Sequence, residues 1–204
     1  MLKKLITVML CIFLFIGLTA CGKTEEPEVK PDEETNIEEN AQENTEESIG
    51  EDDSFEKNPV AGKVIGEFSA EDLDGNTVTN KVFEENDLTV LNIWGTFCGP
   101  CIEEIPELEE IQNHFKDKKV KVIGLVIDKE KEEAINIMKQ VEAKYTNIIP
   151  DSVLDKDIVT SFEYVPATIF INSEGEVLKT FIAGSSEFEV FKGTIEEILA
   201  GDKE

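Results

Sequence analysis

The chain has 204 residues, with 45 acidic side chains against 19 basic ones and a formal net charge of −26, a balance that argues against nucleic acid or an anionic membrane surface as a partner. All the basic residues are lysine, so bidentate recognition of phosphate or carboxylate by arginine is excluded too. The length allows one domain of ordinary size plus appendages.

Residues 1–20 carry Lys3 and Lys4, then an apolar run from Leu5 to Leu18, then small residues before Cys21. This is the layout of a secretory signal, and the apolar run is short for a membrane-spanning helix. Leu18-Thr19-Ala20-Cys21 resembles the bacterial lipobox, which implies cleavage before Cys21 and a diacylglycerol on its sulfur. An uncleaved N-terminal anchor with an incidental cysteine is the alternative. Within the next segment, residues 21–58, Gly22 to Asn58 hold 15 acidic residues against Lys23, Lys30 and Lys57. So few apolar groups cannot offset the entropy of ordering, and a disordered, self-repelling tether is predicted, with a binding role for the acidic run as the other reading. Residues 59–204 remain, enough for one domain with a real core.

Val64 to Phe68 reads as a short strand, and the Asp74-Gly75 turn signal between strand-like runs predicts a hairpin. Leu88 to Ile93 reads as a strand. Ile102, Ile105, Leu108, Ile111 and Phe115, spaced by threes and fours, form one face of a helix. Val120 to Ile127 is a continuous apolar run, as a buried parallel strand requires. A helix from Glu130 to Tyr145 and a short one from Asp155 to Phe162 follow. Ala167 to Ile171 and Glu176 to Ile182 form an antiparallel pair, and Phe188 to Leu199 closes the chain as a helix. Periodicity by itself supports a mixed α/β domain.

Between the first long strand and its helix, Trp94-Gly95-Thr96-Phe97-Cys98-Gly99-Pro100-Cys101 places two cysteines at CxxC spacing. The first turn of a helix presents unpaired N–H groups and a partial positive charge, which favour a thiolate over a thiol. Cys98 is therefore expected below the roughly 8.5 of a free cysteine, and Cys101, one turn further in, to be more buried and less ionised. That makes Cys98 the attacking sulfur and Cys101 the resolving one. A structural disulfide or half of a metal site is the other reading of the pair. Cys11 leaves with the signal and Cys21 takes lipid, so no thiol is left over. Two cysteines and a single histidine, His114, cannot supply a four-ligand zinc site.

The run from Trp94 to Cys101 resembles the active site of the thioredoxin family, with Phe97 where that family more often has tryptophan. Val165-Pro166-Ala167-Thr168 resembles the family's second mark, a cis-proline before a strand. Glu104, three residues past the second cysteine, followed by Pro106, resembles the extracytoplasmic TlpA/ResA branch. The likeness spans roughly Val60 to Ala200. It implies an α/β thioredoxin-like fold, a central mixed β-sheet flanked by helices, with an N-terminal β-hairpin extension and a helical insertion from Glu130 to Glu163.

The same resemblance implies an exported, membrane-anchored thiol-disulfide oxidoreductase on the outer face of the cytoplasmic membrane, with no cofactor. Its clients would be disulfides of exported proteins such as apocytochrome c or a methionine sulfoxide reductase, and its electrons would come from a membrane donor of the CcdA/DsbD type. Cys98, Cys101, Glu104 and Pro166 are the catalytic residues it implies. Asn92 stands where plain thioredoxins carry a buried aspartate, which makes Glu104 the substitute acceptor for the Cys101 proton, from a thiol lying beside Ile93 and Phe97. The other reading of Glu104 is one more solvated carboxylate beside Glu103, Glu107, Glu109 and Glu110. A copper chaperone using the dithiol as soft ligands is the alternative class, although related copper carriers resemble CxxxC with a nearby histidine.

Overall fold

In the computed structural model residues 57–201 are described; the segment read as an export signal, Cys21 and nearly all of the acidic segment lie outside the described residues. The elements run β1 (Ser69–Asp72), β2 (Thr77–Thr79), α1 (Lys81–Glu84), β3 (Leu88–Trp94), α2 (Gly99–Phe115), β4 (Val120–Val126), α3 (Lys131–Gln140), β5 (Thr146–Ile149), α4 (Ser152–Asp157), β6 (Ala167–Asn172), β7 (Val177–Ala183) and α5 (Phe188–Ala200). The strands form one mixed sheet in the order β2-β1-β5-β4-β3-β6-β7.

The sheet is built around β3, all seven of whose residues are buried. It runs parallel to β4, with Leu88 opposite Val120 and Trp94 opposite Val126. On its other side it runs antiparallel to β6, with Asn92 opposite Thr168 and Ile93 opposite Ala167. That register decides where the site lies: the C-terminal end of β3, from which the CxxC loop departs, meets the N-terminal end of β6, immediately after Pro166.

Because side chains alternate along a strand, Leu88, Val90 and Trp94 join one core cluster while Leu91 and Ile93 join the other. The first cluster contains Ile105, Leu108, Ile111 and Phe115 of α2 together with Phe191 and Ile195 of α5. Asn92 falls between Val90 and Trp94, so it points toward α2 from inside the core. Burying an α2 residue as large as Leu108, which is fully enclosed, contributes about 1.5–3 kcal/mol. This packing holds the dithiol helix against the sheet.

Three segments differ from the sequence expectations. Val64 to Phe68 is not a strand: only Val64 makes an isolated bridge, to Glu176. Ile65 N donates to the Gly175 carbonyl, and the other backbone bonds of the stretch go to side chains, Gly66 N donating to Asp157 Oδ2, Phe68 N donating to Asn80 Oδ1, and Asn80 Nδ2 donating to the Ile65 and Gly66 carbonyls. The hairpin forms slightly later, from β1 and β2.

The helix expected to reach Tyr145 stops at Gln140, since Glu142 takes a positive φ of 57° and turns the chain. Directly after the released residues, Thr146–Ile149 form β5, which bridges the hairpin to the main sheet by pairing antiparallel with β1 and parallel with β4. The insertion thus carries a strand as well as helices. The helix expected over Asp155 to Phe162 begins earlier, where Asp151 Oδ1 caps it by accepting from Val153 N and Leu154 N, and gives way to a 3-10 turn at Val159–Ser161.

Candidate active site

Cys98 is the N-cap of α2, in extended conformation, and Pro100 sits in the helix's first turn, where its missing N–H leaves no bond unmade. Cys98 and Cys101 are joined in a disulfide. The Cys98 Sγ accepts a hydrogen bond from Cys101 N at 3.3 Å. Cys98 keeps 8% of its surface, whereas Cys101 has none. Only one of the two sulfurs faces an incoming molecule.

The loop leading to the dithiol is pinned from two sides. Thr96 donates through both its backbone N and its Oγ1 to Asp128 Oδ2, at 2.9 and 2.6 Å. Trp94 Nε1 donates to Asn147 Oδ1 on β5 at 2.8 Å. That second contact depends on Gly124 of β4, where a Cβ would lie 1.8 Å from Asn147 Oδ1. Phe97, expected beside the Cys101 thiol, turns its ring back over Gly95 and is 71% exposed.

The Val165–Pro166 peptide bond is cis. The Val165 carbonyl oxygen lies 3.6 Å from Cys98 Sγ. Phe97, Pro100, Ile127, Phe162, Tyr164 and Val165 line a groove of about 430 Å³ with Cys98 at its foot. Its walls are mostly apolar, apart from Glu163.

Glu104 is not a solvated carboxylate, being only 2% exposed. Its Oε1 accepts from Asn92 Nδ2 at 2.8 Å, and its Oε2 accepts from Ser186 N at 3.0 Å. Burial pushes its carboxyl up from 4.5 to about 7, against these two hydrogen bonds, which favour the ionised form. Asn92 Nδ2 also donates to Thr168 Oγ1 at 3.0 Å, while Asn92 Oδ1 is buried without a partner. The acid of the site therefore sits one helical turn beyond Cys101, held by β3 and by the segment before α5.

His114, late in α2, is exposed and lies edge-on to Phe115 and Phe188, away from this constellation. Among the described residues no group of three or more His, Cys, Asp or Glu side chains is arranged to hold a metal ion. Four partners of the site were not singled out in the sequence as such: Thr168, Ser186, Asp128 and Asn147. Thr168 was within reach, being part of the Val165 to Thr168 run and opposite Asn92 once β3 and β6 pair. Ser186 reaches Glu104 across 82 residues, and no local pattern announces it.

The Redoxin family matches residues 60–195. The thiol-disulfide oxidoreductase ResA of Halalkalibacterium halodurans is 30% identical over 131 residues, 62% of this chain and 71% of that one. ResA of Bacillus cereus is 30% identical over 138 residues, 67% of this chain and 78% of that one. Among solved structures, the thioredoxin domain of a thiol-disulfide oxidoreductase from Bacteroides vulgatus superposes with a TM-score of 0.55 at 24% identity, covering 68% of this chain and 96% of that domain. StoA from Bacillus subtilis superposes with a TM-score of 0.52 at 17% identity, covering 64% and 96%. These structural likenesses are likenesses of fold.

Proposed function

The chain belongs to the Redoxin family, and from that premise we propose that this thiol-disulfide oxidoreductase is a lipid-anchored enzyme that reduces disulfides of exported proteins outside the cytoplasm. The observation that carries the reading is the unequal placement of one redox pair: Cys98 at the helix start and the foot of a groove, Cys101 sealed beneath it. One sulfur can be attacked from outside or attack outward. The other can react only with its partner.

In the reduced enzyme the Cys98 thiolate is stabilised by the Cys101 N–H and by the helix start. It attacks one sulfur of a client disulfide, that bond breaks, and the client's other sulfur leaves as a thiolate. Cys101 then gives its proton to Glu104 and attacks Cys98 Sγ. The mixed bond breaks, the client's second sulfur leaves and takes a proton from solvent, and two electrons have passed to the client. The oxidised pair is the state of this structure. The Val165 backbone beside Cys98 offers hydrogen bonds to an extended client segment.

The leader and Leu18-Thr19-Ala20-Cys21 support export and a lipid on Cys21, which would keep the domain at the outer face of the cytoplasmic membrane. A membrane donor of the CcdA/DsbD type would return electrons to the pair, and apocytochrome c or a methionine sulfoxide reductase are clients of suitable chemistry. An insulin-reduction assay run beside copper(I) titration of the reduced protein tests this reading. Catalytic turnover lost in Cys98→Ser supports it, and stoichiometric copper binding without turnover assigns the dithiol to metal carriage.

A further inference from the structure

Glu104 can take the Cys101 proton only when its carboxyl is ionised, so a protonated Glu104 must first discharge to solvent, and the groove beside Cys98 is covered whenever a client is bound. A second cleft, of about 260 Å³, opens on the other side of Glu104, between α2 and the segment before α5. Its lining is Glu103, Glu104, Glu107, Ser185, Ser186 and Glu187. None of these residues lines the client groove. Cys101 itself is fully buried and has no contact with solvent.

We infer that the proton leaving Cys101 exits from Glu104 to solvent through this cleft, with Glu107 and its neighbouring carboxylates as relays, so that resolution proceeds while a client seals the Cys98 face. The inference rests on Glu104 being the proton acceptor and names the route by which it is recharged. Glu104 Oε1 faces the closed interior, toward Asn92 and Thr168, whereas Oε2 faces Ser186 at the cleft wall. Glu107, the next carboxylate along the same helix, is fixed at the cleft by accepting from Phe188 N at 3.0 Å. Glu103 and Glu187 are exposed at the rim.

The charged and titratable groups facing Glu104 are Glu103 and Glu107 from its own helix, Glu187 from the start of α5 and the buried Tyr145 from beside β5. β3 and β6 offer only the neutral Asn92 and Thr168. The cleft lining holds no cation, so its field draws protons and cationic acids inward and keeps anions out. The balance is simple: one proton moves from Cys101 Sγ to Glu104, then from Glu104 through the cleft to a water or buffer base outside, and the carboxylate is restored.

The test is chemical rescue in single turnovers at pH 6, where Glu104, pushed up to about 7 by burial, starts protonated and must discharge through the cleft before it can accept the Cys101 proton. Reduced protein is mixed with a self-quenched disulfide-linked peptide, and closure of Cys98–Cys101 is followed through Trp94, the sole tryptophan, packed in the same cluster as the dithiol. The triple variant Glu103→Gln, Glu107→Gln, Glu187→Gln keeps an acceptor for Phe188 N and removes the relay. Its closure should slow roughly ten-fold at pH 6, a fraction of what proton-transfer catalysis supplies, and recover as imidazole is raised, while a bulky buffer of similar pKa leaves it slow.

Ser185→Trp, at an exposed position, should slow closure without recovery, because it fills the cleft that imidazole must enter. Parent-like closure in both variants, or a loss in the triple variant that imidazole leaves unchanged, overturns the route. Glu104→Gln separates the two claims. If it closes at the parent's rate from pH 5 to 9, the acceptor role itself fails; if it is slow and the cleft variants are not, only the exit route fails.

Discussion

Replacing Glu104 with glutamine should remove a specific pH dependence of stability. In the folded protein burial pushes this carboxyl up to about 7, whereas its ordinary value is 4.5. Between the two, the native state holds a proton that the unfolded chain has released, so stability is full below the lower value and is lost as pH rises through the upper one. At 1.36 kcal/mol per pH unit of separation, the loss between pH 4 and pH 8 amounts to about 3 kcal/mol. The side chain is 2% exposed, so solvent screening takes little from that figure.

Glutamine keeps one acceptor in place and cannot ionise. Its own cost, a second amide facing Asn92 Nδ2, is constant across the range and cancels when slopes are compared. Urea unfolding of the oxidised parent and the variant at half-unit steps from pH 4 to 8 measures the difference. The variant should gain on the parent by about 3 kcal/mol from the acid end to the alkaline end. Parallel curves would show that Glu104 has an ordinary proton affinity in the folded state, and the reasoning that makes it the acceptor for Cys101 would lose its support.

With the pair reduced, Cys98 should react with iodoacetamide faster than Cys101 at neutral pH, because it alone faces solvent and caps the helix; equal rates would contradict the assigned roles. Gly124→Ala should cost about 2–3 kcal/mol by driving Asn147 from Trp94, since the new methyl would lie 2.8 Å from Trp94 Nε1 as well; unchanged unfolding in urea with unaltered Trp94 fluorescence would refute that. Mass spectrometry of the protein from cells should find an acylated Cys21 as its first residue, and an unmodified Cys21 or an intact Met1 would remove the lipid anchor.

The dithiol and its helix were legible because their signals are local: a two-residue gap between cysteines, a proline for the first turn, and apolar residues at helical spacing through Phe115. The long buried strands β3 and β4 announced themselves the same way. β5 did not, because four residues of which two are buried carry too little period to be told from the end of α3. The stretch from Val64 to Phe68 has strand composition, but its backbone is held by Asn80 and Asp157, and composition does not say which partner a backbone group will find. Glu104 was singled out through its spacing from Cys101 and through Asn92; its burial and the Ser186 contact arise only when α5 packs on α2. Residues 1–56, which bear on export and anchoring, lie outside the described residues.

The most direct test of the central claim is capture of the mixed disulfide in cells. Cys101→Ser leaves Cys98 able to attack and removes the sulfur that releases the product. The membrane fraction of cells carrying this variant should contain a covalent adduct between Cys98 and an exported cysteine-bearing protein, dissociated by dithiothreitol and absent from the Cys98→Ser, Cys101→Ser double variant. Adducts confined to cytosolic proteins, or none at all while the parent chain is present and oxidised in the same fraction, would contradict a reductase of exported disulfides.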